Sequence, residues 1–150
     1  MPILKFKNEY RFLSNFWKCH IIFEGGEYTS TEAAYQSAKT LNKEERKKFI
    51  LLSPADAKRM GKNIKLRDDW EEVKVSIMQE LVRQKFETNS DLMDRLLATK
   101  PQILIEGNLH HDTYWGWCFH CHKGENKLGE ILMDIRDGTD FAGKEYKETI

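Results

Sequence analysis

The chain has 150 residues, enough for one domain with its own hydrophobic core and no disulfide framework. Lys plus Arg and Asp plus Glu both total 24, so no global basic field draws it to nucleic acid or an anionic membrane, and any nucleic-acid contact must be local. Three Cys, no charged-then-apolar leader from Met1 to Tyr10 and no apolar run of membrane-spanning length point to a soluble, cytoplasmic protein with reduced thiols.

Ile3–Phe6 and Cys19–Phe23 have strand character. Glu24-Gly25-Gly26-Glu27 reads as a hairpin turn, because paired glycines supply the positive φ of a tight loop. The hairpin leads into a helix starting at Thr29 or Ser30, with no breaker before Leu41. At about 100° per residue, Glu32, Gln36 and Lys39 share one face beside Tyr35, and Ala34, Ala38 and Leu41 lie on the other. Two readings of Glu32 stand together. With Thr29 as N-cap it falls at N3 and completes the capping box of an ordinary solvated helix; otherwise the face offers a carboxylate, an amide and an amine for chemistry.

A charged helix follows over Lys43–Leu51. Next comes one capped by Ser53, with Pro54 at its first position, Asp56 in its first turn and Gly61 ending it. Asp68 or Asp69 can cap a long helix to about Thr88, whose Trp70, Val73, Ile77, Met78, Leu81 and Val82 keep the helical period and make it the central packing element. Ser90 caps a helix bearing Leu92, Met93, Leu96 and Leu97, which Pro101 stops, and Ile103–Ile105 reads as a buried strand. Gly107–Asn126 lacks periodicity and is rich in His, Trp and Gly, the mark of a long functional loop. Leu128, Ile131, Leu132 and Ile135 place a last helix ending near Gly138, and residues 139–150 form a charged tail expected to fray. The sum is a single, helix-rich α+β domain over residues 1–150 with a small, partly antiparallel sheet.

Neither GxGxxG nor GxxxxGK[ST] nor GxSxG occurs, which removes the common phosphate loops and the nucleophile elbow. Cys118 and Cys121 have the CxxC spacing of a zinc knuckle, with His110, His111, His120 and His122 nearby. A structural site generally draws a second ligand pair from elsewhere, however, so reduced thiols and solvated histidines are the expected state, and no metal is assigned. What remains is Glu32, Lys39, Trp70, Glu106, Asp112, Trp115 and Trp117. Indole faces can stack on a flat heterocycle and carboxylates can stabilise positive charge at a sugar C1, although Trp70 is as well explained by core packing.

Phe12-Leu13-Ser14-Asn15-Phe16, Thr31-Glu32 with Tyr35-Gln36 and Lys39, Leu66–Trp70, Leu96–Thr99, Glu106 with Asp112, Trp115-Gly116, and Gly124–Gly129 with Leu132-Met133 and Arg136 run in order along the chain. Together they resemble the YbiA-like, or NADAR, superfamily. The resemblance implies a cofactor-free N-glycosidase acting at C1 of a ribose that carries phosphate or an ADP group. Its partner would be a small ribosylamino-pyrimidine phosphate of the riboflavin pathway, or ADP-ribose on guanine in nucleic acid. It also implies that Glu32 and Lys39 are catalytic, that Asp112 assists, and that Asn15, Phe16, Tyr35, Gln36, Trp70, Glu106, Trp115 and Asn126 shape the pocket. Two departures stand out: Ala33 where many relatives have His, and Gly61-Lys62 where many have Gly-Arg, which replaces a planar fork by a point charge. Trp117–Lys123 is also longer than in the simplest members. The rival readings are a module that binds ADP-ribose without cleaving it and a zinc-stabilised interaction domain.

Overall fold

The computed structural model describes residues 1–139 and 144–150. Among the described residues the chain is α+β, with six α-helices, two 3-10 helices and five short strands. None of the described helices is long and apolar enough to cross a membrane. The chain divides into two compact units, Asn15–Thr88 and the pair of segments Met1–Ser14 and Asn89–Ile150.

The Asn15–Thr88 unit begins with an antiparallel hairpin of β1 (Lys18–Phe23) and β2 (Gly26–Ser30), in register Ile21 to Tyr28 and Phe23 to Gly26. Glu24 and Gly25, at φ 44° and 86°, make the turn. Alternation buries Ile21, Phe23 and Tyr28 on one face, as a half-buried hairpin requires. β2 passes without a loop into α1 (Thr31–Ser37).

The charged helix is shorter than its composition suggests. α2 spans Lys43–Lys47, after which Lys48 and Phe49 bond back to Glu45 and Arg46 in tighter turns that bury Phe49 completely. In α3 (Pro54–Gly61) the Ser53 hydroxyl accepts from Asp56 N–H at 3.1 Å and Pro54 opens the helix, as the sequence indicates, but Gly61 is its last helical residue and Lys62 its C-cap. α4 (Trp70–Glu87) is the long helix and buries Trp70, Ile77, Met78, Leu81, Val82 and Phe86. Asp69 precedes it without capping, because its carboxylate is taken by Arg67 at 2.6 Å.

In the other unit, the expected strands near Ile3 and Leu104 shrink to one parallel bridge, with Ile3 N–H to Ile103 O and Ile105 N–H to Ile3 O, both 2.8 Å. Asn8, at φ 56°, starts a 3-10 helix over Asn8–Leu13 that ends any extension of that strand. α5 (Ser90–Leu97) has Asn89, not Ser90, at its cap position. The long loop carries three two-residue strands: β3 (Gly107–Asn108) runs parallel to β4 (Trp117–Cys118), which pairs antiparallel with β5 (Lys123–Gly124). α6 (Lys127–Asp137) closes on Gly138, whose φ of 67° is the left-handed stop that a residue without Cβ accepts. The sequence predicts a fraying tail. Its residues 140–143 lie outside the described residues, and beyond them Tyr146 is buried and donates to Glu130 at 2.8 Å, followed by a 3-10 turn over Lys147–Thr149.

Lys85 on α4 is 1% exposed. Burial lowers its pKa to about 8, against the opposing pull of Cys19. Between pH 8 and the ordinary lysine value of 10.5 the unfolded chain therefore binds more protons than the folded one, so this lysine makes stability rise with pH across that window. Lys85→Met is expected to be more stable than the parent at pH 7 by on the order of 3 kcal/mol, with the advantage vanishing as pH approaches the unfolded-chain value. Urea titrations of both proteins across the window check this, and a constant difference would contradict it.

Candidate active site

Ser30, the last residue of β2, accepts a hydrogen bond from Ala33 N–H at 3.0 Å and is the N-cap of α1. Thr29 is not, because its hydroxyl donates to Leu52 O at 3.2 Å. The helical frame therefore puts Glu32 at N2, and the capping box does not form. Its carboxylate accepts instead from Gln36 Nε2 at 3.0 Å. Nor is α1 a solvated helix: all of Thr31–Ser37 is buried, with Glu32 7% and Gln36 4% exposed. A carboxylate this far from water is favoured by the positive end of the helix dipole. The opposite face holds Ala34 and Ala38 as expected, but Leu41, past the helix end, is exposed.

Asn15 supports this frame from its own backbone, its carbonyl accepting from Glu32 N–H at 3.1 Å while its side chain reaches Met78 Sδ at 3.4 Å. Lys39 follows α1 by a tight turn, its N–H on Gln36 O at 3.3 Å. Burial pushes its amine pKa below the ordinary value; Glu32 opposes the shift, and Lys58, Lys62 and Lys74 add to it. Its Nζ lies 6.0 Å from the Tyr35 ring centre. Tyr35 packs against Trp70 with centroids 5.2 Å apart, and Trp70, 5% exposed, is a core residue at the start of α4. Phe16 is the accessible aromatic here, 38% exposed with Lys58 Nζ 5.9 Å from its ring.

A Cβ on Gly61 would meet the Gln36 side-chain oxygen, so α3 lies close against α1 here and a larger residue would have to displace the buried Gln36 amide. The close packing brings Lys58 and Lys62 into the field of Lys39. Sequence reasoning missed Lys58 and Lys74. The one available signal was the i, i+4 spacing of Lys58 and Lys62, which places both on one side of α3.

The remaining predicted residues belong to the other unit. Asp112 Oδ1 accepts from the N–H groups of Tyr114 at 3.1 Å and Trp115 at 2.9 Å, an Asx-type turn that shapes the loop. Asn108, which the sequence did not single out, ties the same loop down: Nδ2 donates to Asp112 O at 2.9 Å and Oδ1 accepts from Asp112 N–H at 3.1 Å. Trp115 is half-buried and meets Tyr114 edge to face at 5.0 Å. A side chain on Gly116 would strike the Glu106 carbonyl and carboxylate, so the Trp115-Gly116 pair lies directly on Glu106. Asn126 is fully buried at φ 53°; its Nδ2 reaches Leu104 O at 2.9 Å and the Tyr146 hydroxyl at 3.2 Å, and its Oδ1 accepts from Glu106 N–H at 2.9 Å. Its contacts are those of a brace beneath Glu106.

A family model of the NADAR domain matches residues 4–139. The chain belongs to the NADAR family. Among its NADAR relatives, N-glycosidase YbiA of Escherichia coli is 37% identical over 133 residues, 87% of this chain and 82% of that protein. A riboflavin biosynthesis protein of Vibrio vulnificus is 36% identical over 84% of this chain, which corresponds to 35% of its own length. The NMR structure of E. coli YbiA superposes with a TM-score of 0.80 at 35% identity, covering 92% of this chain and 83% of that one, so the α+β architecture is the YbiA fold.

If Asp112 serves chiefly by accepting the Tyr114 and Trp115 amides, Asp112→Asn keeps an acceptor oxygen and Asp112→Ala does not. The alanine variant is expected to lose about 1–2 kcal/mol in a denaturant melt and the asparagine variant less than half of that. Equal losses would show that the charge, not the turn, is what counts.

Proposed function

We propose that this NADAR chain, a glycosidase acting on N-glycosyl compounds, hydrolyses the C1 N-glycosidic bond of a ribosylamine phosphate. The observation carrying the reading is the pairing of buried Glu32 with a Lys39 whose amine is made less basic by burial and by three further lysines. The riboflavin biosynthesis relative favours a ribosylamino-pyrimidine phosphate over ADP-ribose on guanine in nucleic acid. Zero net charge fits a small substrate gripped locally.

In this reading the sugar reacts in its opened form, with C1 doubly bonded to the departing nitrogen. The neutral amine of Lys39 adds to C1, the Glu32 carboxylate carries the protons that the attacking amine sheds to the departing nitrogen, the C1–N bond breaks, and the sugar is held as a Lys39 imine. Water then adds to C1, Glu32 carries its protons to the Lys39 nitrogen, and the ribose phosphate leaves with the Lys39 amine restored. One water is consumed for one bond cleaved. Lys58 and Lys62 supply cations for the phosphate as point charges, without the fork that Gly-Arg relatives present. Glu32 acts as the proton carrier because Gln36 fixes one of its oxygens at 3.0 Å.

Glu32→Gln is expected to lower kcat by about 10²–10³-fold while folding normally. In the parent enzyme the acid limb of kcat/KM should rise with an apparent pKa below lysine's ordinary 10.5, since the amine must be neutral to attack. Assays of a ribosylamino-pyrimidine phosphate, its dephosphorylated form and ADP-ribosylated DNA test the substrate. The phosphate form should be preferred over the dephosphorylated one by roughly tenfold or more, the weight of one good charge contact. Full activity of the Gln variant would remove Glu32 from the chemistry, and release of ADP-ribose from DNA with no turnover of the small phosphate would assign the other conjugate.

A further inference from the structure

The loop between β3 and α6 holds a second cluster. His111, Cys118 and Cys121 offer ligand atoms that all lie within 4.8 Å of one another. His111 Nδ1 is 3.0 Å from Cys121 Sγ and 3.9 Å from Cys118 Sγ, and the two sulfurs are 2.7 Å apart. All three cysteines of the chain are free thiols. All three donors come from one loop, because β4 carries Cys118 into the small sheet while His111, at φ 69°, is turned back toward the thiols.

A third donor distinguishes this cluster from a pair of thiols poised for a disulfide, whose first thiolate a CxxC turn stabilises equally. The backbone N–H of Cys121 donates to Cys118 Sγ at 3.1 Å, the amide-to-sulfur bond that stabilises a thiolate at the first cysteine of a CxxC turn. An imidazole nitrogen also converges on both sulfurs, and a disulfide has no use for a third donor. Two soft thiolates with one imidazole are a donor set suited to zinc. Tetrahedral zinc with Zn–S of about 2.3 Å holds its sulfurs roughly 3.8 Å apart, so seating the ion requires the two sulfurs, 2.7 Å apart here, to move away from each other.

We propose that His111, Cys118 and Cys121 bind zinc, with water as fourth ligand, and that the ion staples the loop presenting Asp112 and Trp115. The staple closes the segment from His111 to Cys121, inside which the Asp112 turn and the Gly116 contact with Glu106 are formed. This inference stands apart from the glycosidase chemistry of Glu32 and Lys39 and does not depend on it.

Protein purified under reducing conditions without chelator is expected to contain about one zinc per chain by elemental analysis. Cobalt added to the metal-stripped, reduced protein should give a thiolate-to-cobalt charge-transfer band. Cys118→Ser and Cys121→Ser should abolish the band, and His111→Ala should weaken cobalt binding at least about tenfold. The cobalt titration of the parent chain keeps the test decisive even if a cysteine variant misfolds. No charge-transfer band in the reduced parent, a Cys118–Cys121 disulfide in protein isolated anaerobically, or zinc retained by all three variants would each overturn the site.

Discussion

The hydrogen bond from Ala33 N–H to the Ser30 hydroxyl sets the frame of α1, and much of the candidate chemistry follows from that frame. An N-cap of this kind contributes about 1 kcal/mol, a modest amount, yet it decides which residue faces what. Had Thr29 been the cap, Glu32 would have spent its carboxylate on a backbone amide. With Ser30 as cap, Glu32 stands one position earlier and its carboxylate meets Gln36, one turn on. The hairpin makes this choice possible, because β2 runs into the helix with no loop and the last strand residue becomes the cap.

Burial then sets this polar helix face apart from a solvated one. In water, Glu32 and Lys39 would be an ordinary carboxylate and ammonium. Inside α1 and its following turn, the carboxylate is 7% exposed and the amine loses basicity to burial and to three neighbouring lysines. Gly61 supports this arrangement from α3, since its missing side chain lets that helix bring Lys58 and Lys62 close. A chain of zero net charge thus holds a local positive field, the kind a phosphate needs.

Much of this is legible in the sequence, and the failures have physical causes. The hairpin, the Ser53-Pro54 helix start and the long helix at Trp70 follow from turn chemistry, capping and a sustained apolar period. Sequence reasoning leaves the cap of α1 open between Thr29 and Ser30 and puts that of α5 one residue late at Ser90, because several adjacent residues could cap and only tertiary contacts choose among them. The strands at Ile3 and Ile103 shrink to a bridge because composition does not reveal how far two segments run together. Of the two aromatics that the sequence offers, Trp70 is 5% and Phe16 38% exposed, a difference that ring type alone does not reveal. The convergence of His111 on Cys118 and Cys121 depends on two-residue strands too short to leave a periodic signal.

The central claim is that Lys39, beside Glu32, forms the covalent link to the sugar. Borohydride added during turnover of a ribosylamine phosphate, followed by peptide mass spectrometry, examines it directly. The account predicts one reduced adduct of ribose-phosphate mass on Lys39, absent without substrate. An active enzyme that yields no adduct, or one on any other lysine, would contradict it.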